Sequence, residues 1–263
     1  PDAVFAHWWD YGYWVQTGGQ RATLTDGGNS GGHSLNFFMG RNVLTGENNI
    51  EALEFLKAKN ATHLLIVSDE IGKYGAFSSI GSNQTFDRYS FIPTFTLDPS
   101  QSVEQRNQTL LLYNGGAPFD EDFQLGNQIF PARSAGVGAI ILPISQQGNL
   151  TRFSQPRAIV VYKGQQVTIP LKCLFVDGQE IVFPGEGLPA CFQLIPVVQG
   201  NSANMLGAGN YLSGRVWNTL FAHMYLFNQQ WDGFTLVYSD EQSLPLALYG
   251  GRMIGPLKIW KID

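Results

Sequence analysis

The feature that most constrains the fold is a continuous apolar run over residues 63–67, which directly follows an amphipathic segment. Residues 49–59 carry apolar side chains at helical spacing, and the run itself has the length of a buried strand. A polar loop beginning at Ser68 comes next. A helix, a buried strand and a polar loop are typical of α/β proteins, in which ligands gather beyond the carboxyl ends of strands.

A second pattern begins near residue 156, where short apolar runs alternate with Gly-Gln, Asp-Gly and Pro-Gly turns. Such spacing predicts successive β-hairpins. We further predict helices over 101–112 and 212–227, and strands over 137–143, 234–238 and 257–262. The expected fold is an α/β (mixed α+β) central core formed by residues 1–155 together with 201–263, with a small all-β unit inserted over residues 156–200.

Composition excludes two classes of protein. Charged residues make up 14% of the 263 residues, the net charge is −5 and Lys and Arg do not cluster, so we expect no nucleic-acid partner. No apolar stretch reaches the roughly 18 residues of a membrane span, and no signal-peptide pattern is present. The sequence therefore predicts a soluble domain.

One pentapeptide concentrates recognition chemistry near the amino terminus: Trp8-Trp9-Asp10-Tyr11-Gly12. Each indole offers an apolar face and one N–H donor, the carboxylate accepts hydrogen bonds, and the phenol does both. Such a group could hold a small polar ligand with an apolar corner. The alternative is an aromatic cluster within an ordinary core.

This pentapeptide resembles the WWDYG signature of the oligosaccharyltransferase catalytic subunit, which transfers a lipid-linked glycan to the Asn of an Asn-x-Ser/Thr acceptor. The resemblance extends over residues 21–26, His33, a second motif over 69–80, and residues 225–227 and 257–262. It implies the C-terminal soluble domain of such a subunit, from an archaeon, at the extracytoplasmic face of the cell membrane. The β insertion is similar to one in archaeal and bacterial members.

The resemblance implies that the first motif binds the acceptor Ser or Thr. Trp8 and Trp9 would donate indole N–H groups to the hydroxyl oxygen, and Asp10 would accept its proton. An acceptor with Val in that place would leave these groups unpaired and be rejected. We expect Tyr11 to orient its neighbours and Gly12 to permit a tight turn.

The second motif pairs Asp69 with Lys73 at helical i, i+4 spacing. The next four-residue step arrives at Phe77, where the family carries Met or Ile, and this departure leaves open which of Lys73, Phe77 and Ile80 contacts the acceptor. Two glycines within the segment weaken a helix by roughly 1 kcal/mol each. We therefore predict a mobile segment that orders when the acceptor binds.

No catalytic residue is assignable in this chain. The resemblance implies a divalent metal, Mn or Mg, in the whole enzyme, with ligands mainly outside this chain, and implies the acceptor polypeptide, a lipid-linked oligosaccharide and the enzyme's own N-terminal transmembrane region as partners. His7, His33 and His63 lack metal-ligand spacing, so we assign them structural roles. The acidic cluster over residues 120–122 is typical of a solvated loop.

Cys173 and Cys191 lie 18 positions apart and are either two buried thiols or one disulfide. Four Asn-x-Thr sequons, at Asn60, Asn83, Asn107 and Asn149, are compatible with an extracytoplasmic location.

Two other functions are compatible with these residues. The first is a carbohydrate-binding module with Trp8, Trp9 and Trp14 as a sugar-stacking platform. The second is a glycosidase, which would require a carboxylate partner for Asp10.

Overall fold

The computed structural model describes residues 2–28, 33–148 and 150–263, and at His33 it describes the backbone alone. The side chain of His33 and the sequon residue Asn149 therefore lie outside the described part. No helix in the described ranges is long and apolar enough to cross a membrane. The α-helices are α1 Gly12–Thr17, α2 His33–Phe38, α3 Asn49–Ala58, α4 Asp69–Ile80 and α5 Gly214–Trp217, with a 3-10 helix over Trp9–Tyr11 and π-helices over Met39–Leu44 and Phe221–Leu226.

The strands, in chain order, are β1 Val4–Ala6, β2 Ala22–Thr23, β3 His63–Ile66, β4 Thr94–Leu97, β5 Val103–Gln105, β6 Gln108–Pro118, β7 Phe123–Leu125, β8 Gln128–Phe130, β9 Gly136–Gln147, β10 Leu150–Phe153, β11 Arg157–Tyr162, β12 Gln165–Val176, β13 Gln179–Val182, β14 Leu188–Gln199, β15 Ser202–Leu212, β16 Phe234–Ser239, β17 Ala247–Tyr249, β18 Arg252–Ile254 and β19 Lys258–Ile262. Together with the helices they give the predicted mixed α+β fold class, which is confirmed.

The first of two compact units comprises residues 1–91, 215–247 and 252–263. Its five-stranded sheet has the order β16-β19-β3-β1-β2. The strands β1, β2 and β3 are parallel to one another where they pair, whereas β19 is antiparallel to β3. The buried strand predicted after an amphipathic helix is confirmed as β3 after α3, and β16 and β19 confirm the two predicted closing strands.

Parallel pairing of β1 with β3 positions both sequence motifs. Phe5 lies opposite His63 and Ala6 opposite Leu64, so the two strands end at the same edge of the sheet. The 3-10 helix of the first motif follows β1, and α4, which contains the second motif, follows β3. Two motifs about 60 residues apart in sequence therefore arise side by side.

The second unit comprises residues 92–214 and 248–251. Seven of its strands close on themselves in the order β12-β11-β9-β6-β4-β15-β14, because β14 pairs in parallel with β12. Inside lie large apolar side chains, including the fully buried Phe95, Tyr113, Phe130 and Phe192. This strand-rich unit provides its own hydrophobic core.

The β-rich unit differs from the predicted 156–200 insertion, since it begins some sixty residues earlier and ends later. The main reason is the segment 101–112, for which we predicted a helix. It forms β5 and β6, joined by the exposed turn at Arg106 and Asn107. Beyond that turn, Leu111 and Tyr113 are buried while Leu112 is less so, which is the two-residue period of a strand.

The helix predicted over 212–227 is interrupted. Strand β15 continues to Leu212, α5 is a single turn, and a π-helix begins at Phe221. Between them the Thr219 hydroxyl donates to the Val216 carbonyl at 2.7 Å and accepts from the Ala222 amide at 3.3 Å. A side chain that bonds the backbone in this way competes with the helical hydrogen bonds and breaks the helix.

The two cysteines form a disulfide, which decides between the two alternatives left open by the sequence. Cys173 of β12 lies directly opposite Cys191 of β14 in the parallel pair that closes the seven strands. Both residues are fully buried. The disulfide therefore ties together the seam of the β unit.

We expect replacement of both cysteines by Ser to lower the free energy of unfolding by about 3 kcal/mol, because an 18-residue loop is released in the unfolded chain. Urea unfolding of the variant and of the oxidised wild type measures the difference. Reductant should lower the wild-type stability by a similar amount and leave the variant unchanged. Equal stability of the oxidised wild type and the variant would show that hydrogen bonding of β12 to β14 closes the unit unaided.

Candidate functional site

Asp10 and Lys73 form an ion pair that joins the two motif segments. Asp10 Oδ2 lies 2.5 Å from Lys73 Nζ, and the two side chains are 22% and 33% exposed. The same ammonium group donates to the Tyr11 hydroxyl at 3.1 Å and lies 4.7 Å from the centroid of the Tyr11 ring. Pairs with this exposure contribute on the order of 1 kcal/mol, so the pair determines geometry more than stability.

Tyr11 lies among the acidic groups of the site. Burial raises the pKa of its phenol, and the negative charges of Glu70, Asp69 and Asp10 raise it further. The phenol therefore keeps its proton and hydrogen-bonds Asp69 while accepting from Lys73. These contacts suit the orienting role predicted for Tyr11, which stays a prediction.

One oxygen of Asp10 has no partner. Its Oδ1 atom is buried and makes no hydrogen bond with any described residue, whereas Oδ2 faces Lys73. An unpaired buried acceptor costs roughly 1–3 kcal/mol. The site thus contains an acceptor for a donor group that the described residues do not provide.

Trp8 is part of the core. Its side chain is 2% exposed and packs edge-on against Phe77 at 5.8 Å between ring centroids. Phe77 in turn contacts Tyr74 at 4.8 Å and Phe221 at 5.9 Å. We name these four residues the aromatic cluster. Trp9, by contrast, is partly exposed at the surface.

Phe77 therefore lies inward, under Trp8, and contributes no surface to the site, being fully buried. Ile80 is 43% exposed near the end of α4. Of the three residues left open by the second motif, Lys73 contacts the polar groups of the first motif, whereas Phe77 contacts its buried Trp8 ring. The role of Ile80 stays a prediction.

The second motif is one uninterrupted helix in the structure despite its two glycines. Ile71, Tyr74 and Phe77 are buried along one face, and this packing outweighs the helix-weakening effect of glycine. A Cβ at Gly72 would meet no atom within 4 Å, so that glycine is not required by its surroundings. Ordering of the segment on acceptor binding stays a prediction.

Gly12 is required for a different reason than the tight turn expected from the sequence. Its backbone is ordinary right-handed helix, with φ −53° and ψ −51°. A Cβ there would lie 2.4 Å from Asp26 Cβ and 2.5 Å from the Thr25 carbonyl oxygen. Close approach of the 21–26 segment, which is part of the resemblance, therefore excludes any side chain at this position.

The histidines whose side chains are described have structural contacts. His7 is fully buried, its Nδ1 lies 2.7 Å from the Trp8 carbonyl, and burial lowers its pKa. His63 Nδ1 lies 2.8 Å from the Thr62 hydroxyl. In the acidic cluster Asp122 accepts a hydrogen bond from the Ala132 amide at 2.8 Å.

The described residues contain no group of three or more His, Cys, Asp or Glu side chains placed to hold a metal ion. The divalent metal implied by the resemblance, whose ligands were expected mainly outside this chain, stays a prediction.

Glu70 is a site residue that sequence reasoning missed. Its side chain is fully buried beside the two motifs, and burial raises the pKa of its carboxyl to about 8. It also raises the pKa of the Tyr225 phenol by its charge, after the larger effect of burial. Glu70 lies two residues after the N-cap Ser68, whereas a capping box places Glu three residues after the N-cap, so the spacing in the sequence did not indicate it.

Over residues 1–64 the chain matches the STT3/PglB/AglB core domain. The match contains the first motif and ends before the second, which begins at Asp69. The match supports, over residues 1–64, the family resemblance predicted from the sequence, while the archaeal source stays a prediction.

Three solved structures are similar to the chain. The C. jejuni PglB C-terminal domain is 11% identical, with a TM-score of 0.48, and the alignment covers 99% of this chain and 94% of that one. A C-terminal globular domain of the Pyrococcus abyssi oligosaccharyltransferase is 14% identical, with a TM-score of 0.42 and coverages of 99% and 46%. Archaeoglobus fulgidus AglB, in complex with an inhibitory peptide and a dolichol-phosphate, is 10% identical, with a TM-score of 0.43 and coverages of 100% and 27%.

The chain thus spans less than half the length of the second and third of these structures. All three TM-scores are below 0.5, so none of these likenesses supports a functional conclusion. No curated protein matches the chain.

We expect Gly12→Ala to lower the free energy of unfolding by about 1–3 kcal/mol, because its Cβ would overlap the 21–26 segment. Gly72→Ala is the matched control and should stabilise the exposed face of α4 by about 0.5–1 kcal/mol. Thermal unfolding of both variants measures the contrast. Equal effects of the two substitutions would mean that the 21–26 segment leaves room for a side chain at position 12.

We expect Phe77→Ala to cost about 3–5 kcal/mol of unfolding free energy, because it opens a cavity in the aromatic cluster. Ile80→Ala, three residues on in the same helix, should change stability by less than about 0.5 kcal/mol. Urea unfolding monitored by Trp fluorescence distinguishes them. A mild effect at Phe77 would contradict its placement in the core.

Proposed function

We propose that this chain is the acceptor-recognition domain of an oligosaccharyltransferase, which selects Asn-x-Ser/Thr for glycan transfer from a lipid-linked oligosaccharide. The observation that carries the proposal is the Asp10–Lys73 ion pair, because it brings both predicted motifs into one site. The family match over residues 1–64, which contains the first motif, supports the same reading.

The chemistry of the site suits a hydroxyl group. A Ser or Thr hydroxyl donates one hydrogen bond and accepts others, and the unpaired Asp10 Oδ1 is an acceptor for that proton. Pairing would recover the roughly 1–3 kcal/mol lost while this atom is buried alone. Partly exposed Trp9 lies next to Asp10 and would donate its indole N–H to the hydroxyl oxygen.

Trp8 differs from Trp9 and Asp10 in being buried. With 2% of its side chain exposed, it takes part in acceptor binding only if binding uncovers its indole. Its packing on Phe77 meanwhile fixes the backbone from which Trp9 and Asp10 project. Ile80, exposed at the end of the same helix as Lys73, would touch the Thr methyl group and contribute about 1 kcal/mol.

In the whole enzyme this domain would hold the acceptor Asn towards an active centre located elsewhere in the protein. Positioning of this kind can supply a large share of a bimolecular barrier. We propose that the centre, its divalent metal and the site for the lipid-linked oligosaccharide belong to an N-terminal transmembrane region. Alone, the 263-residue chain would bind acceptor weakly and transfer no glycan.

The proposed location is the extracytoplasmic face of the cell membrane. The buried Cys173–Cys191 disulfide fits an oxidising compartment. Asn60, Asn83 and Asn107, the sequon residues within the described part, are exposed. All three are therefore accessible to glycosylation in such a compartment.

The carbohydrate-binding alternative is not favoured. A stacking platform needs exposed ring faces, and of its three tryptophans Trp8 is buried whereas Trp14 is 76% exposed. The glycosidase alternative needs a second accessible carboxylate beside Asp10. Glu70 is near enough to influence the same groups, but its side chain is fully buried.

We expect a peptide with Asn-x-Thr to bind the chain at least tenfold more tightly than the same peptide with Val in place of Thr, because Val leaves Asp10 Oδ1 unpaired. Asp10→Ala should abolish this preference, and Trp14→Ala, at an exposed position outside the proposed contacts, should retain it. Isothermal titration or fluorescence anisotropy with both peptides gives the ratios.

Free glycans should not compete with the peptide. Equal binding of the Thr and Val peptides would overturn the proposal, and competition by glycans together with loss of binding in Trp14→Ala would favour the carbohydrate-binding module instead.

A further inference from the structure

Glu70 makes a contact that the proposed function does not use. It is the second residue of α4, and its carboxyl Oε2 accepts a hydrogen bond from the Val67 amide at 2.5 Å. The Glu70 amide in turn donates to the Val67 carbonyl at 3.2 Å. As in the Glu half of a capping box, the side chain reaches back to a backbone amide three residues earlier, and the two bonds join the first turn of α4 to the end of β3.

This tie is the side-chain cap of the helix. Ser68, at the N-cap position, makes no side-chain capping hydrogen bond. The second Glu70 oxygen, Oε1, is buried and has no hydrogen-bond partner among the described residues. A fully buried carboxyl with one oxygen unpaired is costly to the folded state.

Charged and titratable groups face Glu70 from three elements. Asp69 and Lys73 belong to α4 itself, Asp10 and Tyr11 to the 3-10 helix of the first motif, and Tyr225 to the π-helix over Phe221–Leu226. Lys73 is the cation of this group and is paired with Asp10. A neutral Glu70 leaves that pairing undisturbed, whereas an ionised Glu70 adds a second negative charge that competes for Lys73.

We propose that Glu70 is a positioning residue of this site: its carboxyl ties the first turn of α4 to the end of β3 and so holds Lys73 against Asp10. The consequence for acceptor binding rests on the proposed function, whereas the consequence for the ion pair does not.

The sign of the pH dependence follows from burial. Desolvation raises the pKa of the Glu70 carboxyl from 4.5 to about 8 in the folded chain, so between these values the folded state keeps a proton that the unfolded state has lost. The free energy of unfolding therefore falls as pH rises through this window and stops falling above it. Glu70→Gln, which cannot ionise, should lack this fall.

The first experiment needs no ligand. A double-mutant cycle with Asp10→Asn and Lys73→Met, followed by urea unfolding of the 263-residue chain, measures the coupling between the two side chains. The cycle is repeated in three further backgrounds. Glu70→Gln cannot ionise, and Glu70→Asp has a side chain one methylene too short to reach the Val67 amide. Glu54→Gln is the control, because it makes the same substitution at an exposed position of α3.

We expect the coupling at pH 7 to be retained in Glu70→Gln and Glu54→Gln and to fall by more than half in Glu70→Asp. The wild type should lose coupling between pH 7 and pH 9, and Glu70→Gln should not. Unchanged coupling in a folded Glu70→Asp chain, or the same alkaline loss in Glu70→Gln as in the wild type, would overturn the proposal. If Glu70→Asp does not fold, the pH comparison with Glu70→Gln decides.

The second experiment repeats the pH series with the Asn-x-Thr peptide. The affinity of the wild type should fall at least threefold from pH 7 to pH 9, and that of Glu70→Gln should change less than twofold. Failure of the wild type to prefer Thr over Val would refute the proposed function and leave the ion-pair result standing. A normal preference with identical pH profiles in both chains would instead refute the role of Glu70 alone.

Discussion

Packing of Trp8 on Phe77 is the contact on which the rest of the site depends. Trp8 precedes the 3-10 helix of the first motif, and Phe77 lies two turns into α4, so this contact locks the first motif onto the second. Phe221 extends the aromatic cluster to the π-helix. Because these rings are buried, the hydrophobic effect holds the backbone segments that carry Asp10 and Lys73 in place. The polar contacts then determine only how the side chains pair.

This arrangement separates stability from recognition. The aromatic cluster supplies the energy, whereas the Asp10–Lys73 pair is partly exposed and contributes little to it. Substitution of Phe77 in the aromatic cluster should therefore reduce stability, whereas substitution of Asp10 in the ion pair should reduce selectivity. The disulfide of the β unit is independent of both, because it stabilises a hydrophobic core built from other strands.

Much of the first unit could be predicted from sequence, because its signals are local. The run before Ser68 is apolar throughout, and i, i+4 spacing places Asp69 and Lys73 on one face of α4.

The predictions that were wrong or incomplete concern contacts between residues far apart in the sequence. Helical spacing does not say which side of a helix faces inward, so Phe77 was a candidate contact although Trp8 covers it. The requirement for Gly12 comes from the 21–26 segment, which no motif spacing reveals. The extent of the β unit was missed because long strands such as β6 are held by partners far along the chain.

The unpaired atoms of the site share a location that links fold to function. His7 Nε2, Asp10 Oδ1 and Glu70 Oε1 are buried without partners among the described residues, and each belongs to a segment that leaves the carboxyl end of β1 or β3. Parallel strands that end at one edge place the segments that follow them side by side, which is why these three groups lie on neighbouring segments. Packing of Trp8 on Phe77 joins the two segments, and the three atoms are buried where the segments meet water least. In the proposed function, a donor that reaches Asp10 Oδ1 would pair with an acceptor that is already buried, and for this reason the site would distinguish a hydroxyl from a methyl.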